Sequence, residues 1–363
     1  MRKIRTGVIG CGKAAHCHAQ ALINIPESEL VAVCGRNAGK VKEFAQKYNI
    51  KGYTSIEEMV SKSDVEAVVV CTPHPVHAES AIPALKAGVH VLVEKPLSTS
   101  LADCDAMIKT AEENGVILGG VFQRRFYPPV QRVKHAIDSG KIGRPVLGTV
   151  ILLGWRDEAY YRSDPWRGSW EGEGGGVLVN QAPHLIDLLQ WFMGPVDEIY
   201  GCWENLNHPY IEVEDTAVAV LKFKNGGLGN IIVSNSVNPA LYGKVHIHGE
   251  NGASVGVQTD GGAMFIAGVS GIAEPPVNDL WTVKGEEGML EIWKQQDTEF
   301  FNSIDPILYY YERQAEDFLK AVINRTKPLV DGEEARKTVE IFTAIYRSNR
   351  EKRPVKFPLE PEE

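Results

Sequence analysis

The chain lacks most of what marks a membrane, secreted or nucleic-acid-binding protein. No apolar run approaches the ~20 residues that span a bilayer. Residues 1–7 enter a strand directly, without the charged and apolar regions of a signal peptide. Only six of 363 residues are cysteine (Cys11, Cys17, Cys34, Cys71, Cys104, Cys202), and none forms a CxxC pair. That scatter argues against a disulfide framework and against a cysteine-built metal site, so no metal is expected; it fits free thiols in a cytoplasmic protein. Positive charge is in deficit, 38 Lys and Arg against 47 Asp and Glu, a net charge of -9. Such a surface disfavours nucleic acid and anionic lipid as partners. No internal repeat or low-complexity segment is present.

What is there is a composition of 44% hydrophobic and 23% charged residues, ordinary for a soluble protein, over a length that suits two domains of ~150 residues. Residues 4–9 read as a strand that runs into Gly10-Cys11-Gly12-Lys13-Ala14-Ala15, a GxGxxA turn, then a helix and a second strand at 30–34. In that context the turn is a dinucleotide fingerprint. Gly10 permits the tight turn and Gly12 lets the backbone approach a pyrophosphate. Ala15 still allows close helix–strand packing, and the helix start at Lys13 and Ala14 faces the phosphates. One thing is missing: a carboxylate to hold the adenosine ribose. The second strand runs instead into Gly35-Arg36-Asn37. Arg36 suits a 2′-phosphate and Asn37 suits a ribose hydroxyl, so both NAD and NADP stay open.

Strands and helices alternate up to residue 122, the pattern of a doubly wound parallel sheet. The strand at 65–71 ends in Thr72-Pro73-His74-Pro75-Val76-His77. Thr72 and Pro73 are expected beside the cofactor, ahead of any catalytic role for His74 or His77. His77 opens a helix, where its ring is placed to cap. The strand at 89–93 ends in Glu94-Lys95-Pro96, which sets a lysine at the carboxyl edge of the sheet, where ligands bind. A lysine shielded from water serves in proton transfer; the bland alternative is a lysine paired with Glu94.

After residue 122 strands dominate, at 146–153, 217–223, 229–235 and 244–249, with a hairpin signal at Asn225-Gly226-Gly227. This implies an antiparallel sheet in an α+β second domain at 123–363, following a dinucleotide-binding domain at 1–122. Residues 252–275 are expected as short strands and loops. Helices close the chain at 309–326 and 332–350, and the tail from 358 is expected to fray. One segment stands out: Trp166-Arg167-Gly168-Ser169-Trp170, then Gly174-Gly175-Gly176, then Asn180, His184 and Asp187. If 180–187 is one helix, these three lie on one face. A histidine one turn from an asparagine, after a glycine run, is a base candidate, and Asp187 is either its orienting partner or a plain helix carboxylate. Arg124, Tyr160, Tyr161, Trp166 and Arg167 add aromatic and basic residues to this half of the chain, with core or interface packing an equal alternative to a site role for each aromatic.

Together these motifs resemble the Gfo/Idh/MocA family, named for glucose–fructose oxidoreductase, inositol dehydrogenase and rhizopine catabolism. The resemblance rests on the GxGxxA turn, Cys71-Thr72-Pro73 with His77-Ala78-Glu79, Glu94-Lys95-Pro96, and the triple glycine followed by His184-Leu185-Ile186-Asp187. It spans essentially the whole chain. It implies an N-terminal Rossmann domain, a C-terminal domain with a large, mostly antiparallel sheet, and a homodimer, homotetramer or larger assembly built on the open face of that sheet. It implies hydride transfer between a hydroxyl of a sugar, cyclitol or nucleotide sugar and NAD or NADP. By this resemblance Gly10, Gly12, Lys13, Ala14, Ala15, Arg36, Asn37, Thr72, Pro73, His77, Glu94 and Lys95 hold the cofactor. Lys95 bonds the reacting hydroxyl, His184 is the general base, and Arg124, Arg156, Tyr160, Trp166, Arg167, Asn180 and His184 contact substrate. Many members carry aspartate where this chain has Asn180. The Asn-Gln-x-x-His form is similar to members acting on pyranosides, levoglucosan or nucleotide sugars, among which oxidation at C3 recurs. An inositol dehydrogenase and a non-catalytic dinucleotide sensor are the competing expectations.

Overall fold

The computed structural model describes residues 2–261 and 274–359. In chain order the strands are β1 (Ile4–Ile9), β2 (Ser28–Cys34), β3 (Lys51–Tyr53), β4 (Ala67–Val70), β5 (His90–Val93), β6 (Leu118–Gly120), β7 (Pro145–Leu153), β8 (Val196–Glu204), β9 (Thr216–Phe223), β10 (Leu228–Ser234), β11 (Tyr242–Gly249), β12 (Ser254–Gly261), β13 (Val277–Trp281) and β14 (Val355–Lys356). The α-helices are α1 (Lys13–Asn24), α2 (Ala38–Tyr48), α3 (Ile56–Ser63), α4 (His77–Lys86), α5 (Leu101–Glu113), α6 (Pro128–Asp138), α7 (Glu158–Arg162), α8 (Trp170–Glu173), α9 (Val177–Asn180), α10 (Pro183–Met193), α11 (Met289–Ser303), α12 (Leu308–Asn324) and α13 (Gly332–Glu351). They fall into two units. Among the described residues, one is formed by the chain up to Gln123 with Ile307–Val339, the other by Arg124–Pro306 with residues 340–359.

The first unit is a six-stranded sheet in the order β3-β2-β1-β4-β5-β6, with every pairing parallel. β4 and, after His90, β5 are unbroken runs of alanine, valine and leucine, the composition of strands buried on both faces. The order reverses between β1 and β4, and a doubly wound sheet opens a ligand crevice at that point, past the carboxyl ends of the strands. Gly10 follows β1 with φ +119°, and a Cβ there would stand 2.6 Å from the Cys71 carbonyl oxygen beyond β4. Only glycine allows the two strand ends to come this close. Ala15, Ala19 and Leu22 of α1 share one core with Ala315, Phe318 and Leu319 of α12. The helical periodicity of α12 is readable in sequence, but periodicity does not say which sheet a helix covers.

The second unit carries an eight-stranded sheet, β13-β12-β11-β7-β10-β9-β8-β14. All its pairings are antiparallel except β7 with β10. The hairpin at Asn225-Gly226-Gly227 joins β9 to β10: Gly226 takes φ +84°, and the Asn225 side chain accepts the Gly227 amide at 2.8 Å. α10 packs on β7 and β11, against a face built from Val150, Leu152, Val245 and Ile247. The opposite face exposes Leu147, Ile151, Tyr200, Val218, Val220 and Leu228.

Several details differ from the sequence reading. β8, β13 and α11 were not expected; α11 starts after Gly288 with no side-chain cap, so the usual start signal is missing. Within 252–275, β12 is one of the expected strands, and 262–273 lie outside the described residues. Of the tail expected to fray, Leu359 is buried, its amide held by the Glu340 carboxylate at 2.6 Å; the residues after it lie outside the described residues. No helix among the described residues is long and apolar enough to cross a membrane.

Candidate active site

In the first unit the site begins at α1. Gly12 is its N-cap and gives no side-chain cap, while the first amides of any helix lack an intrahelical acceptor. A Cβ on Gly12 would meet no atom within 4 Å. Free amides at a helix start with open space beside them are the cradle an anion needs, so these residues fit a dinucleotide pyrophosphate. Lys13 is exposed, Ala14 half-buried and Ala15 buried. At the end of β2, Arg36 is exposed and Asn37 caps α2, its side-chain oxygen accepting the Lys40 amide at 3.0 Å. That oxygen is thus engaged, leaving the amide nitrogen of Asn37 for a ribose.

Beyond β4, Thr72 is half-buried with its hydroxyl 3.3 Å from Ser80 Oγ, and Pro73 begins a single turn of 3-10 helix through Val76. His74 is buried with its ring 5.8 Å from that of His77. His77 does not cap α4, whose N-cap is Val76. Its ring is fully buried, with Nδ1 2.9 Å from the Pro96 carbonyl and Nε2 2.9 Å from the Thr72 carbonyl. Burial holds its pKa below the ordinary histidine range, against the pull of those carbonyls. The His77 ring thus bridges two strand-end loops, those of Thr72 and Pro96.

Glu94 is likewise turned inward. Its carboxylate accepts His18 Nε2 at 2.8 Å and the Lys95 backbone amide at 2.9 Å. Burial pushes its pKa up, but the hydrogen bond and charge of His18, with Lys95, outweigh it and hold the carboxyl below its usual range. Lys95 is half-buried at the end of this strand. The pairing of Glu94 with Lys95 read from sequence is a bond to the lysine's backbone.

In the second unit the expected helix across Asn180 to Asp187 is two helices, α9 and α10. Pro183 has no N–H to continue the ladder, which forces the break. Asn180 ends α9 and His184 is the second residue of α10, 5% exposed. Asp187 is gripped by Arg125, with Nε to Oδ2 at 2.9 Å and Nη2 to Oδ1 at 2.7 Å. Arg124 donates to Thr259 Oγ1 at 3.0 Å.

The remaining predicted residues gather around Tyr160. Gln181 Nε2 lies 3.0 Å from its hydroxyl, Asn180 Nδ2 3.4 Å, and Arg167 donates to it. The guanidinium of Arg167 stacks over the rings of Tyr160 and Trp166 at 4.3 and 4.5 Å, and that of Arg156 lies 5.3 Å from Tyr160. Tyr161 packs edge-on against Tyr160 at 5.1 Å and bonds Asn235 at 3.1 Å. Burial raises the pKa of Tyr160, so the hydroxyl keeps its proton.

Two buried acids here carried no sequence signal beyond their charge. Glu173 accepts the Gly168 amide at 2.6 Å and a side-chain N–H of Asn180. Glu214 accepts the amides of Gly176 and Leu178 at 2.9 and 3.0 Å and the Tyr346 hydroxyl at 2.9 Å. Burial, working against these donors, pushes its pKa up to about 7. The triple glycine serves this clamp: a Cβ on Gly176 would stand 1.8 Å from the Glu214 carbonyl oxygen, and one on Gly175 2.3 Å from the Tyr346 hydroxyl. No group of three or more His, Cys, Asp or Glu among the described residues is placed to hold a metal ion.

Comparison with known proteins follows these features. Residues 4–122 match the oxidoreductase family with an NAD-binding Rossmann fold, and 130–255 match the GFO/IDH/MocA C-terminal domain. The chain is 31% identical to the myo-inositol 2-dehydrogenase of Thermotoga maritima over 361 residues, covering 97% of this chain and 98% of that protein. It is 25% identical to the scyllo-inositol 2-dehydrogenase (NAD(+)) of Bacillus subtilis, covering 98% and 97%. The WlbA dehydrogenase of Bordetella pertussis, solved in complex with NADH and UDP-GlcNAcA, superposes with a TM-score of 0.87 at 31% identity, over 99% of each chain.

Proposed function

The chain belongs to the Gfo/Idh/MocA family of NAD(P)-dependent oxidoreductases, and on that premise we propose that it oxidises a ring hydroxyl of a sugar or glycoside, at C3 in the pyranoside case. The observation that carries this reading is the Tyr160 cluster. Aromatic rings, two guanidiniums and two carboxamides converge there, in the unit that also holds His184. That mixture of apolar faces and hydrogen-bonding groups is what a sugar ring needs. A second reading, oxidation of a cyclitol, is favoured by the full-length likeness to myo-inositol 2-dehydrogenase.

A bound nicotinamide supplies the hydride acceptor. The α1 amino terminus with Gly10 and Gly12 would hold the pyrophosphate, Arg36 and Asn37 would hold the adenosine ribose or its 2′-phosphate, and Thr72 and Pro73 would flank the dinucleotide. His184 takes the hydroxyl proton on an imidazole nitrogen, the part a histidine base plays in proton transfer. The Lys95 ammonium stabilises the developing alkoxide. Asn180, Arg124, Arg156, Tyr160, Trp166 and Arg167 orient the ring. In the same proposal the unit formed by residues up to Gln123 with Ile307–Val339 holds the dinucleotide and the other unit holds the substrate, so α12 goes with the first unit and not with the 123–363 domain read from sequence.

We further propose a homo-oligomer formed on the exposed face of the eight-stranded sheet, in the cytoplasm. Tyr200 pairs with Val220, Val218 with Ile232, and Ile232 with Ile151, which sets these apolar residues side by side across four strands, and such patches are costly to leave in water. Free thiols support the location. The functional test is a panel of sugars, glycosides, nucleotide sugars and inositols with NAD and with NADP, read by reduced-nicotinamide absorbance. Turnover of sugars above inositols supports the first reading and the reverse supports the second. Silence across the panel with tight dinucleotide binding overturns both and leaves a sensor.

A further inference from the structure

His18 is fully buried on α1 and takes no part in the roles assigned above. Its Nε2 meets the Glu94 carboxylate at 2.8 Å, its ring packs edge-on against Tyr311 at 4.7 Å, and its Nδ1 has no hydrogen-bond partner among the described residues. With Nδ1 unpartnered, the ring proton that finds an acceptor is the one on Nε2, which faces the carboxylate. The other Glu94 oxygen accepts the Lys95 amide at 2.9 Å. The Glu94 amide still donates to Val70 in the sheet, at 2.9 Å, so Lys95 carries the first amide past the ladder, and a side chain satisfies it. The next residue, Pro96, has no amide, and its carbonyl is held by His77. The turn that bears Lys95 is thus pinned at its amide through His18 and Glu94, and at its next carbonyl through His77.

We propose that His18 is a positioning residue for Lys95, holding the Glu94 carboxylate against the Lys95 amide and so setting where the lysine is presented. This rests on the reading of Lys95 as catalytic. Without the His18 bond, a buried carboxylate loses its nearest donor and must turn or take up a proton. Either way the strand end loosens, and a displacement of about 1 Å at a catalytic group costs on the order of a hundredfold in rate.

The experiment compares His18→Leu, His18→Gln and Lys95→Ala in the full chain. A glutamine carries an N–H near the place of histidine Nε2, so His18→Gln keeps the bond to Glu94 and His18→Leu removes it. The expected result is a kcat about ten- to a hundredfold lower in His18→Leu, with dinucleotide Kd and substrate KM within about twofold, and most of the rate restored in His18→Gln. In the dinucleotide-free protein, hydrogen exchange at the Lys95 amide should quicken in His18→Leu and stay slow in His18→Gln. Should His18→Leu fail to fold, His18→Gln still decides: a slowed kcat with a protected Lys95 amide overturns the proposal. Equal losses in both variants, or unchanged exchange in His18→Leu, also overturn it. An active Lys95→Ala would instead overturn the catalytic reading of the lysine.

Discussion

Arg125 and Asp187 form a bidentate ion pair with both side chains only 1% exposed. The pair welds α10, the helix that carries His184, to the turn that precedes α6. The Arg125 guanidinium also lies over the Trp191 ring at 4.7 Å. Removing one member of a buried pair strands the other charge and costs about 3–5 kcal/mol. Asp187→Leu and Arg125→Met are each expected to lose that much in urea unfolding, and the two combined to lose less than the two singles added together. Singles that cost under about 1 kcal/mol would mean the pair is not what holds the helix.

Glu214 makes stability depend on pH. Its folded pKa of about 7 stands above the ordinary 4.5, so between those values the folded protein keeps a proton that the unfolded chain has lost. Stability is then highest below pH 4.5 as far as this group is concerned, and falls as pH rises towards 7, by on the order of 3 kcal/mol. Glu214→Gln should flatten that stretch of the Tm–pH curve. An unchanged slope in the variant would assign the effect elsewhere.

At the end of β2, Arg36 is exposed, and the strand runs on into Gly35-Arg36-Asn37 with no acidic residue. The protein should therefore accept NADP, and Arg36→Asp should shift kcat/KM towards NAD by about tenfold or more, the worth of one charged hydrogen bond. Rejection of NADP by orders of magnitude in the wild type would contradict this reading of the turn.

His184→Ala and Lys95→Ala should each lose about 10²–10⁴-fold in kcat while binding dinucleotide normally. His184→Ala should recover partly at high pH, where hydroxide replaces the base. Asn180→Ala should act mainly on KM, because an amide holds a hydroxyl but takes no proton. Steady-state kinetics with separate cofactor titration decides, and a near-normal kcat in His184→Ala would leave Lys95 as the base.

Light scattering at micromolar concentration should show an oligomer. Val218→Glu with Val220→Glu places two charges on the exposed apolar face of β9 and should dissociate it without unfolding the chain. A wild-type monomer would remove the proposed interface.

Local physics made much of this molecule legible before any coordinates. The strand–glycine–helix unit at residues 4–24 follows from β-branched residues, a glycine that alone tolerates its backbone angles, and a small residue at the helix–strand contact. The position of Lys95 follows from a short apolar run stopped by proline. Each signal lies within a few residues, where backbone sterics and side-chain period act directly. The tertiary structure alone decided which distant groups meet. Arg125 lies 62 residues from Asp187, His18 76 from Glu94, and Glu214 38 from Gly176. No period in the sequence records such pairings, because they depend on how sheets and helices bring buried donors and acceptors within 3 Å of one another. For the same reason the triple glycine was readable as a close approach, while the atoms approached, the Glu214 carbonyl and the Tyr346 hydroxyl, were not.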